Sequence, residues 1–547
     1  MTPERVVVTG FMGTGKTRAG RLLADRLGLP FLDLDRAVEA AAGRTVAQVF
    51  ADDGEAGFRR AERQAVRWAS RLRRAVIATG GGTFLDRDNY RGLADRSLVV
   101  TLTASPETIV TRVGCSTEAG ERPLLSAGDL REKVEGLLRA RHERYTLGDA
   151  RLDTTSLSPE ETADRLLELC VGAGLRPVDR PPARTVKAQG HEVVIGAAPA
   201  DLPGRLADLA ASRLFTVADD HTAALFGQWS GVEAVVPAGE DAKTLSHLEG
   251  VLCRMASAGV GRDGAVVALG GGVVGDLAGF AAAVYMRGIA AVQVPTTLLA
   301  QVDSAIGGKT AVNLAGLKNL VGAFHPPALV FAAVEPLLCL PDEEFRQGLA
   351  EVVKYGLACD SDLLDRLESE APAILGRRPT ALAEVVARCV RAKAAVVEAD
   401  PTEQGERRRL NLGHTVGHAL ETASEASPPA GQPPGPSANA RLAHGDAVAF
   451  GMAVATRMAV AAGMAPSGLW PRLLRGYDAL GLSLAPGARA FADEPEDEFL
   501  RRLAGDKKNR GGALRLVLPL GSGRVDLDYQ VDPQEVRRAC VEMVDSL

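Results

Sequence analysis

No apolar run in this chain approaches the ~20 residues that a helix needs to cross a lipid bilayer. The N-terminal segment also lacks the basic stretch, long apolar core and cleavage site of a secretory leader. An excess of positive charge is missing too, since the formal net charge is −6. These absences argue against a membrane-spanning protein, a secreted protein and a nucleic-acid-binding protein, although local basic pockets for phosphates remain open.

Cysteine is scarce and scattered along the chain. There are 7 cysteines, an odd number, and no pair has the Cys-x-x-Cys spacing. The sequence therefore indicates neither a disulfide framework nor a thiolate zinc site. A reducing compartment suits this pattern, and we expect a cytoplasmic protein.

The order of predicted elements divides the chain into four parts, as its length of 547 residues suggests. In residues 1–171, short apolar strands alternate with amphipathic helices, which is typical of a parallel sheet covered on both faces. Residues 172–184 contain several prolines and no periodicity, which predicts a linker. Residues 185–340 predict a second α/β domain, and residues 341–547 a mostly helical one. We expect the α/β fold class, with the two ends of the chain folded around separate cores.

A phosphate-binding loop follows the first predicted strand. Residues 10–17 match G-x-x-x-x-G-K-[ST] without a gap, and an amphipathic stretch ending at Gly28 comes next. Glycines in such a loop let backbone N–H groups surround a phosphate at a helix N-terminus. Lys16 would reach the β- and γ-phosphates, and the Thr17 hydroxyl would bind Mg²⁺. The motif predicts a nucleoside triphosphate site and by itself names no acceptor.

Other residues of the first part point to the acceptor. Asp33 and Asp35 end the second predicted strand, and three glycines, residues 80–82, directly follow the next. Three arginines, Arg59, Arg122 and Arg141, could pair with an anionic substrate. In this order the residues resemble shikimate kinase over residues 1–170.

The resemblance implies roles for these residues in transferring a phosphoryl group from ATP to shikimate. Lys16, Asp35 and Arg122 would be catalytic, with Asp35 positioning or deprotonating the attacking hydroxyl. The implied ATP and Mg²⁺ ligands are Gly13, Thr14, Gly15, Lys16, Thr17, Asp33, Arg112 and Arg122. The implied shikimate ligands are Asp35, Arg59, Gly80, Gly81, Gly82 and Arg141.

Histidines of the helical part form a pattern of their own. His414 and His418 are spaced to share one face of a helix, and His444 follows after the Pro-rich, low-complexity segment 425–439, which predicts a surface loop. Glu351 lies among apolar residues of an earlier predicted helix, which suggests partial burial. Imidazoles from two elements and a distant carboxylate are typical of an open zinc site.

A glycine-rich turn, residues 270–276, follows a predicted strand in the second α/β part. It suits a pyrophosphate but lacks the G-x-G-x-x-G spacing, so it is a weak signal alone. Polar, Gly-rich runs interleaved with apolar residues continue to about residue 320, which predicts partly buried polar groups facing a charged ligand. Together with the histidines, these motifs make residues 185–547 resemble 3-dehydroquinate synthase.

This second resemblance implies a cofactor and a metal. Glu351, His414 and His444 would hold a divalent cation, zinc or another such as Co²⁺. His418, Lys309 and Lys354 would be catalytic groups, and His418 would not be a ligand of the metal. The implied NAD ligands are Asp219, Glu240, Lys243, Gly271, Gly272, Asp276, Thr296, Thr297, Leu298, Lys309 and Lys318.

The substrate implied by this resemblance is 3-deoxy-D-arabino-heptulosonate 7-phosphate, converted to 3-dehydroquinate and phosphate. Its implied ligands are Arg287, Asp303, Lys309, Lys318, Asn319, Lys354, Lys393, Arg407, His418 and one of Lys507 and Lys508. The resemblance also implies a homodimer formed through this half. Asp446 departs from the family pattern, which has glutamate after His-Gly.

Two alternatives stay open on the residues alone. The C-terminal half could be another NAD-dependent sugar-phosphate cyclase or a polyol dehydrogenase, although a dehydrogenase would not need the phosphate-binding lysines. The N-terminal part could be a non-catalytic module that senses nucleotide or tethers the synthase. Intact Lys16, Asp35, Arg59 and Arg141 argue against the latter.

Overall fold

The structure, a computed structural model, describes residues 3–115, 129–425, 442–504 and 514–547. The Pro-rich segment lies outside the described residues from position 426 onward. Two parallel sheets and a helical region account for most of the described chain, and the predicted α/β class is confirmed. No helix in these ranges is both long and apolar enough to span a membrane.

The strands form two large sheets and two hairpins. The first sheet is wholly parallel, with strand order β2-β3-β1-β4-β5. The second has the order β6-β7-β14-β11-β10-β8-β9, and only β6 pairs antiparallel. The hairpins are β12-β13 and β15-β16. The strands are β1 Arg5–Gly10, β2 Phe31–Asp33, β3 Val76–Ala78, β4 Ser97–Thr103, β5 Ala150–Asp153, β6 Arg184–Ala188, β7 His191–Ile195, β8 Leu214–Asp219, β9 Ala234–Val236, β10 Ala265–Gly270, β11 Ala290–Pro295, β12 Lys309–Leu314, β13 Leu317–Phe324, β14 Leu329–Ala332, β15 Arg515–Gly521 and β16 Arg524–Gln530.

Helices cover the two large sheets and form the C-terminal region. They are α1 Lys16–Leu27, α2 Leu34–Ala42, α3 Val46–Ala69, α4 Arg87–Ala94, α5 Pro106–Gly114, α6 Leu130–Arg141, α7 Pro159–Gly172, α8 Leu202–Ala207, α9 Asp220–Phe226, α10 Leu245–Ser257, α11 Gly272–Val284, α12 Glu335–Cys339, α13 Asp342–Ala358, α14 Leu363–Leu375, α15 Pro379–Ala399, α16 His414–Glu425, α17 His444–Ala461, α18 Leu469–Leu480, α19 Ala485–Ala492, α20 Glu496–Ala504 and α21 Pro533–Asp545.

The central strands are apolar runs because both of their faces are covered. All residues of β1 and of β10 are buried, as expected for strands inside a parallel sheet. Parallel strands also direct all their carboxyl ends to one edge, where ligands bind in such folds. The phosphate loop follows β1, and the glycine-rich turn of the second sheet follows β10.

Close helix packing sets the positions of the histidine-bearing helices. α16 and α17 lie side by side, and α17 also packs on α13. A Cβ placed on Gly451 would lie 2.0 Å from the Gly413 carbonyl oxygen, and one on Gly417 would lie 3.2 Å from the Ala447 carbonyl carbon. Only glycine permits this approach, which brings the backbones of α16 and α17 into contact.

The first sheet domain packs directly against the second. The guanidinium of Arg73 pairs with Asp342 at the start of α13, with 2.7 Å between Nη1 and Oδ2. The backbone N–H groups of Arg73 and Arg74 donate to the carbonyls of Cys339 and Leu338 at 3.1 and 3.2 Å. These bonds join the segment after α3 to the segment before α13.

Apolar contact continues across the same boundary. α2 packs against α9. One buried apolar cluster includes Leu34 and Val38 from α2 and Leu225 and Phe226 from α9. The expected separation into independent cores is therefore incomplete, because apolar residues on the outer face of the first domain are covered by the second.

Candidate active sites

The phosphate loop has the backbone that its glycines predict. Gly10, Gly13 and Gly15 all have positive φ, at 137°, 79° and 92°, a region that glycine enters without strain. A Cβ on Gly10 would lie 2.2 Å from the Leu102 carbonyl oxygen. The Thr14 hydroxyl closes the loop by donating to the Phe11 carbonyl at 2.8 Å.

The predicted phosphate and magnesium residues lie together at the start of α1. Lys16 is buried, and its Nζ donates to the Phe11 carbonyl at 3.0 Å. The Thr17 hydroxyl donates to Oδ2 of Asp33 at 2.7 Å. The loop thus holds an ammonium group and an aspartate-linked hydroxyl close to one helix N-terminus, as a magnesium nucleotide requires.

Asp35 follows directly in the first turn of α2. Its backbone N–H donates to Oδ1 of Asp33 at 3.0 Å. Burial and, to a smaller extent, the nearby Asp33 raise the pKa of the Asp35 carboxyl to about 7, against the opposing effect of Lys16. A carboxyl that titrates near neutrality is suited to accept a proton from a hydroxyl.

The glycine loop at residues 80–82 forms one wall beside Asp35. A Cβ on Gly80 would lie 2.8 Å from Oδ1 of Asp35, and one on Gly82 would lie 2.8 Å from Nη2 of Arg59. The predicted carboxylate, guanidinium and glycines are therefore neighbours. Side chains at these glycines would occupy the space in which a small hydroxy acid could lie.

Gly81 of the same loop contacts the end of α6. Its carbonyl accepts from the Tyr145 hydroxyl at 2.6 Å and from Nη1 of Arg141 at 3.4 Å. Arg141 is buried and is the last residue of α6. Arg112 of α5 reaches the phosphate loop, where its Nη1 donates to the Gly13 carbonyl at 3.5 Å. Arg122 lies outside the described residues.

Glu62 is a site residue that sequence reasoning missed. It is buried in α3, accepts from Nη1 of Arg59 at 2.7 Å, and accepts from the Thr83 hydroxyl at 2.8 Å. It thereby fixes the guanidinium beside the glycine loop. Glu62 follows Arg59 by three residues, a spacing that indicates an ion pair on one helix face. Exposed helix surfaces show the same spacing, so it does not by itself indicate a buried site residue.

Three residues predicted to hold a metal converge in the C-terminal region. Each of Glu351, His414 and His444 offers one ligand atom, and these atoms all lie within 4.8 Å of one another. Oε1 of Glu351 is 3.1 Å from Nε2 of His444 and 3.5 Å from Nε2 of His414. Three nitrogen and oxygen donors suit a catalytic zinc ion, which takes three protein ligands and leaves its fourth position to water or substrate.

His444 uses both ring nitrogens. Nδ1 lies 3.0 Å from Oε1 of Glu421, a buried residue that the sequence did not point to. Burial alone would lower the pKa of His444, but its contacts with Glu351 and Glu421 raise it to about 10. His418 is exposed, and its ring centroid lies 5.3 Å from that of His414.

A buried ionic network lies beside the cluster. Lys354 pairs with Glu351 and lies 3.9 Å from Oδ1 of Asp303. Asp303 also accepts from Nζ of Lys393 and from the Tyr355 hydroxyl, both at 2.7 Å. Burial would raise the pKa of Asp303, but the two ammonium groups hold it well below its ordinary value. Burial lowers the pKa of Lys393 to about 8, against the opposing effect of Asp303.

The predicted dinucleotide residues line the edge of the second sheet. Gly271 and Gly272 start α11 after β10, and Asp219 ends β8 and caps α9 by accepting from the Thr222 N–H at 2.8 Å. A Cβ on Gly271 would lie 3.0 Å from Cγ2 of Thr297. Thr296 and buried Leu298 belong to the same segment after β11. Residues from three strand ends thus meet at one edge.

Lys243 joins this edge to hairpin β12-β13. Its buried Nζ lies 2.7 Å from Oδ2 of Asp276 and 3.6 Å from Oε1 of Glu240, and it also donates to the Asn319 side chain. Asn313 of the hairpin donates to Oε1 of Glu240 at 2.8 Å. The hairpin is therefore attached to the dinucleotide edge through polar contacts.

The remaining predicted cations differ in how they are held. Arg407 is buried and donates to the Gly307 carbonyl at 3.1 Å, whereas Lys309 pairs with Glu403. Lys318 lies 3.7 Å from Oε1 of Glu421. Arg287 follows α11 with φ 68° and, within the described ranges, makes no ion pair or hydrogen bond through its side chain. Lys507 and Lys508 lie outside those ranges.

Asp446, where the family pattern has glutamate, is held by Gln347. The Gln347 side chain accepts from the Gly445 N–H and donates to Oδ2 of Asp446 at 3.3 Å. The shorter carboxylate thus lies in the first turn of α17, the turn that carries His444, and is held there by Gln347.

Family models match most of the chain. The model described as shikimate kinase matches residues 12–171. Models described as 3-dehydroquinate synthase, N-terminal and C-terminal, match residues 233–347 and 348–509. The shikimate kinase match contains most of the phosphate loop, and the two synthase matches contain the glycine-rich turn and the metal cluster.

Two individual relatives are 3-dehydroquinate synthases that match about half of the chain. The 3-dehydroquinate synthase of Xylella fastidiosa (strain 9a5c) is 47% identical over 303 residues, which cover 55% of this chain and 74% of the relative. That of Xanthomonas oryzae pv. oryzae (strain MAFF 311018) is 46% identical over 307 residues, covering 56% and 79%.

Two solved structures share the fold of the larger part. ValA, a 2-epi-5-epi-valiolone synthase from Streptomyces hygroscopicus subsp. jinggangensis with NAD⁺ and Zn²⁺ bound, has 28% identity and a TM-score of 0.58, covering 67% of this chain and 100% of that one. A 2-deoxy-scyllo-inosose synthase complexed with carbaglucose-6-phosphate, NAD⁺ and Co²⁺ has 27% identity and a TM-score of 0.54, covering 66% and 99%.

Proposed function

Because this chain belongs to the 3-dehydroquinate synthase family and carries a shikimate kinase domain ahead of the synthase, we propose that each of its two sites catalyses the reaction of its family. The N-terminal site transfers a phosphoryl group from ATP, with Mg²⁺, to shikimate. The C-terminal site converts 3-deoxy-D-arabino-heptulosonate 7-phosphate to 3-dehydroquinate and phosphate, with NAD and a divalent metal. We assign residues 1–171, 185–340 and 341–547 to the kinase, the NAD-binding and the metal-binding domains, with a linker at 172–184.

The observation that carries the synthase assignment is the convergence of Glu351, His414 and His444 beside a buried network of cations. This donor set fits Zn²⁺ or Co²⁺, the metals named with the two related synthases. A divalent cation held there would lower the pKa of substrate hydroxyl groups. NAD, held at the edge formed by Asp219, the turn after β10 and the segment after β11, would supply reversible hydride transfer.

The chain's own residues bind and orient the substrate. Lys354, Lys393 and Arg407 offer buried positive charge, which suits a substrate that carries both a phosphate and a carboxylate. Asp303 holds the two lysines in place. His418 is exposed beside the cluster, where an imidazole can donate or accept a proton from bound substrate.

In the kinase, positioning and charge neutralisation replace covalent catalysis. Arg59 and Arg141 hold the shikimate carboxylate, and Asp35 accepts the proton of the attacking hydroxyl. Lys16 neutralises charge on the phosphates. The roles of three residues outside the described ranges rest on family resemblance alone and stay predictions. They are Arg122 in the kinase and Lys507 and Lys508 in the synthase.

Another sugar-phosphate cyclase activity is the second candidate for the synthase half, because the solved structures of such enzymes share its fold. The identity to 3-dehydroquinate synthases is much higher, at 47% against 28%. This difference in identity favours the heptulosonate phosphate as the substrate.

We also propose that two chains associate through an apolar surface beside the dinucleotide edge. Exposed apolar side chains occur at the end of α11 and on hairpin β12-β13: Val284, Met286, Leu314, Leu317, Leu320 and Phe324. Adjacent exposed apolar groups of this kind mark interaction surfaces. F324D should shift the chain toward monomer in sedimentation, and a wild-type monomer would contradict the proposal.

The seven free cysteines fit a cytoplasmic location.

One assay on the purified full-length chain tests both activities. ATP with shikimate should give shikimate phosphate, and the heptulosonate phosphate should give dehydroquinate and inorganic phosphate with no net NADH. A metal chelator of high affinity for zinc should stop the second reaction and, with excess Mg²⁺ present, spare the first. Steady NADH release from a polyol would favour a dehydrogenase instead.

A further inference from the structure

Glu421 lies on the same face of α16 as the two histidines that start it. His414, His418 and Glu421 occupy positions i, i+4 and i+7, which share one side of a helix. The residue is only 4% exposed. A buried carboxylate is costly unless it is paired, so the partners of Glu421 indicate its role.

Its first partner is a metal-ligand candidate. Oε1 of Glu421 lies 3.0 Å from Nδ1 of His444, whose Nε2 faces Glu351 at 3.1 Å. An ionised carboxylate can only accept a hydrogen bond, so Nδ1 carries the proton and donates. That arrangement leaves Nε2 as the atom available to a cation and fixes the plane of the ring.

Its second partner comes from hairpin β12-β13. Nζ of Lys318 lies 3.7 Å from the same Oε1 atom. One carboxylate oxygen therefore faces both an imidazole of the metal cluster and an ammonium group of the hairpin, which is attached to the dinucleotide edge through Asn313 and Asn319.

We propose that Glu421 is a positioning residue that orients His444 toward the metal and ties the metal cluster to Lys318 of the hairpin. The proposal rests on the metal site assigned above. Glu421 contacts neither metal nor substrate in this role; it acts through His444 and Lys318.

The test measures metal affinity rather than activity alone. E421Q keeps the size of the side chain and removes its charge, so the full-length chain freed of metal should bind Zn²⁺ about 10–100-fold more weakly in a titration against a competing chelator. Zn²⁺ dissociation should be faster, and the visible spectrum of the Co²⁺-loaded protein should change. E368Q, which alters a carboxylate paired with Arg475, is the matched control and should bind Zn²⁺ as the wild type does.

Three outcomes separate the possibilities. Unchanged Zn²⁺ affinity and an unchanged Co²⁺ spectrum in E421Q, together with lost affinity in H444A, would overturn the role of Glu421 and leave the metal site intact. Unchanged affinity in H444A as well would overturn the metal site itself. If E421Q does not fold, as judged by its circular dichroism spectrum and its thermal unfolding, E421D serves instead: its shorter side chain cannot keep both contacts, and its Zn²⁺ affinity should fall in the same way.

Discussion

The indole ring of Trp68 lies flat against the imidazole ring of His221, with ring centroids 4.3 Å apart and an interplanar angle of 7°. Trp68 belongs to α3 of the kinase domain, and His221 to α9 of the synthase half. α3 also carries Arg59 of the proposed shikimate site, and α9 is capped by Asp219 of the proposed dinucleotide edge. Elements that carry predicted ligand residues of both sites therefore meet at this interface.

Removing the stack should weaken the contact between the two domains. Because Trp68 is half-buried, W68A should lower the free energy of unfolding by about 1–3 kcal/mol and make the proposed linker near residue 180 easier to cleave by a protease. W470A, which truncates a tryptophan within the helical region, should leave linker cleavage unchanged. Equal cleavage of W68A and wild type would show that the stack does not hold the domains together.

Despite this contact, the two chemistries should be separable. Lys16 supplies charge only at the phosphate loop, so K16A should lower shikimate phosphorylation at least about 100-fold. Dehydroquinate formation should stay within about twofold of the wild-type rate, since the phosphate loop follows a strand of the first sheet and the dinucleotide edge belongs to the second. Coupled assays on one preparation measure both rates. Loss of both activities in a protein with a normal circular dichroism spectrum would contradict their independence.

The kinase site should give the protein a pH-dependent stability. The pKa of Asp35 is raised from 3.8 to about 7 in the folded chain, chiefly by burial. The folded state therefore holds this proton more tightly than the unfolded state, and the resulting stabilisation is complete below pH 4 and is lost as the pH rises through about 7. D35N, which cannot ionise, should gain stability relative to the wild type between pH 5 and pH 8.

Urea denaturation of both proteins at the two pH values measures this difference. D88N, in which the replaced side chain is 87% exposed, provides the matched control and should show no such gain. A constant stability difference between D35N and wild type across the range would place the Asp35 pKa near its ordinary value.

Some of this architecture could be predicted from the sequence and some could not. Buried strands such as β1 and β10 are continuous apolar runs, so their positions were evident. Hairpin β12-β13 was not, because its turn at Ala315 and Gly316 lacks the usual Asn-Gly signal and its strands expose apolar side chains. Glu62 and Glu421 were missed since an acid on a helix usually faces water; only the contacts with Arg59 and His444 distinguish them.

The metal cluster supports the most direct test of the synthase site. H414A removes one of three donors whose ligand atoms lie within 4.8 Å of one another. Because each donor of an open site contributes to holding the cation, the variant should retain much less zinc after dialysis and lose at least about 100-fold in dehydroquinate formation.

His418 provides the matched control for this change. It lies one helical turn after His414 but is exposed and outside the three-donor cluster, so H418A should keep its zinc while its synthase rate falls. Kinase turnover should persist in both variants, because α16 belongs to the helical region. Elemental analysis of the dialysed proteins separates the two histidines: equal zinc content in H414A and wild type would remove His414 from the ligand set, and lost zinc in H418A would add His418 to it.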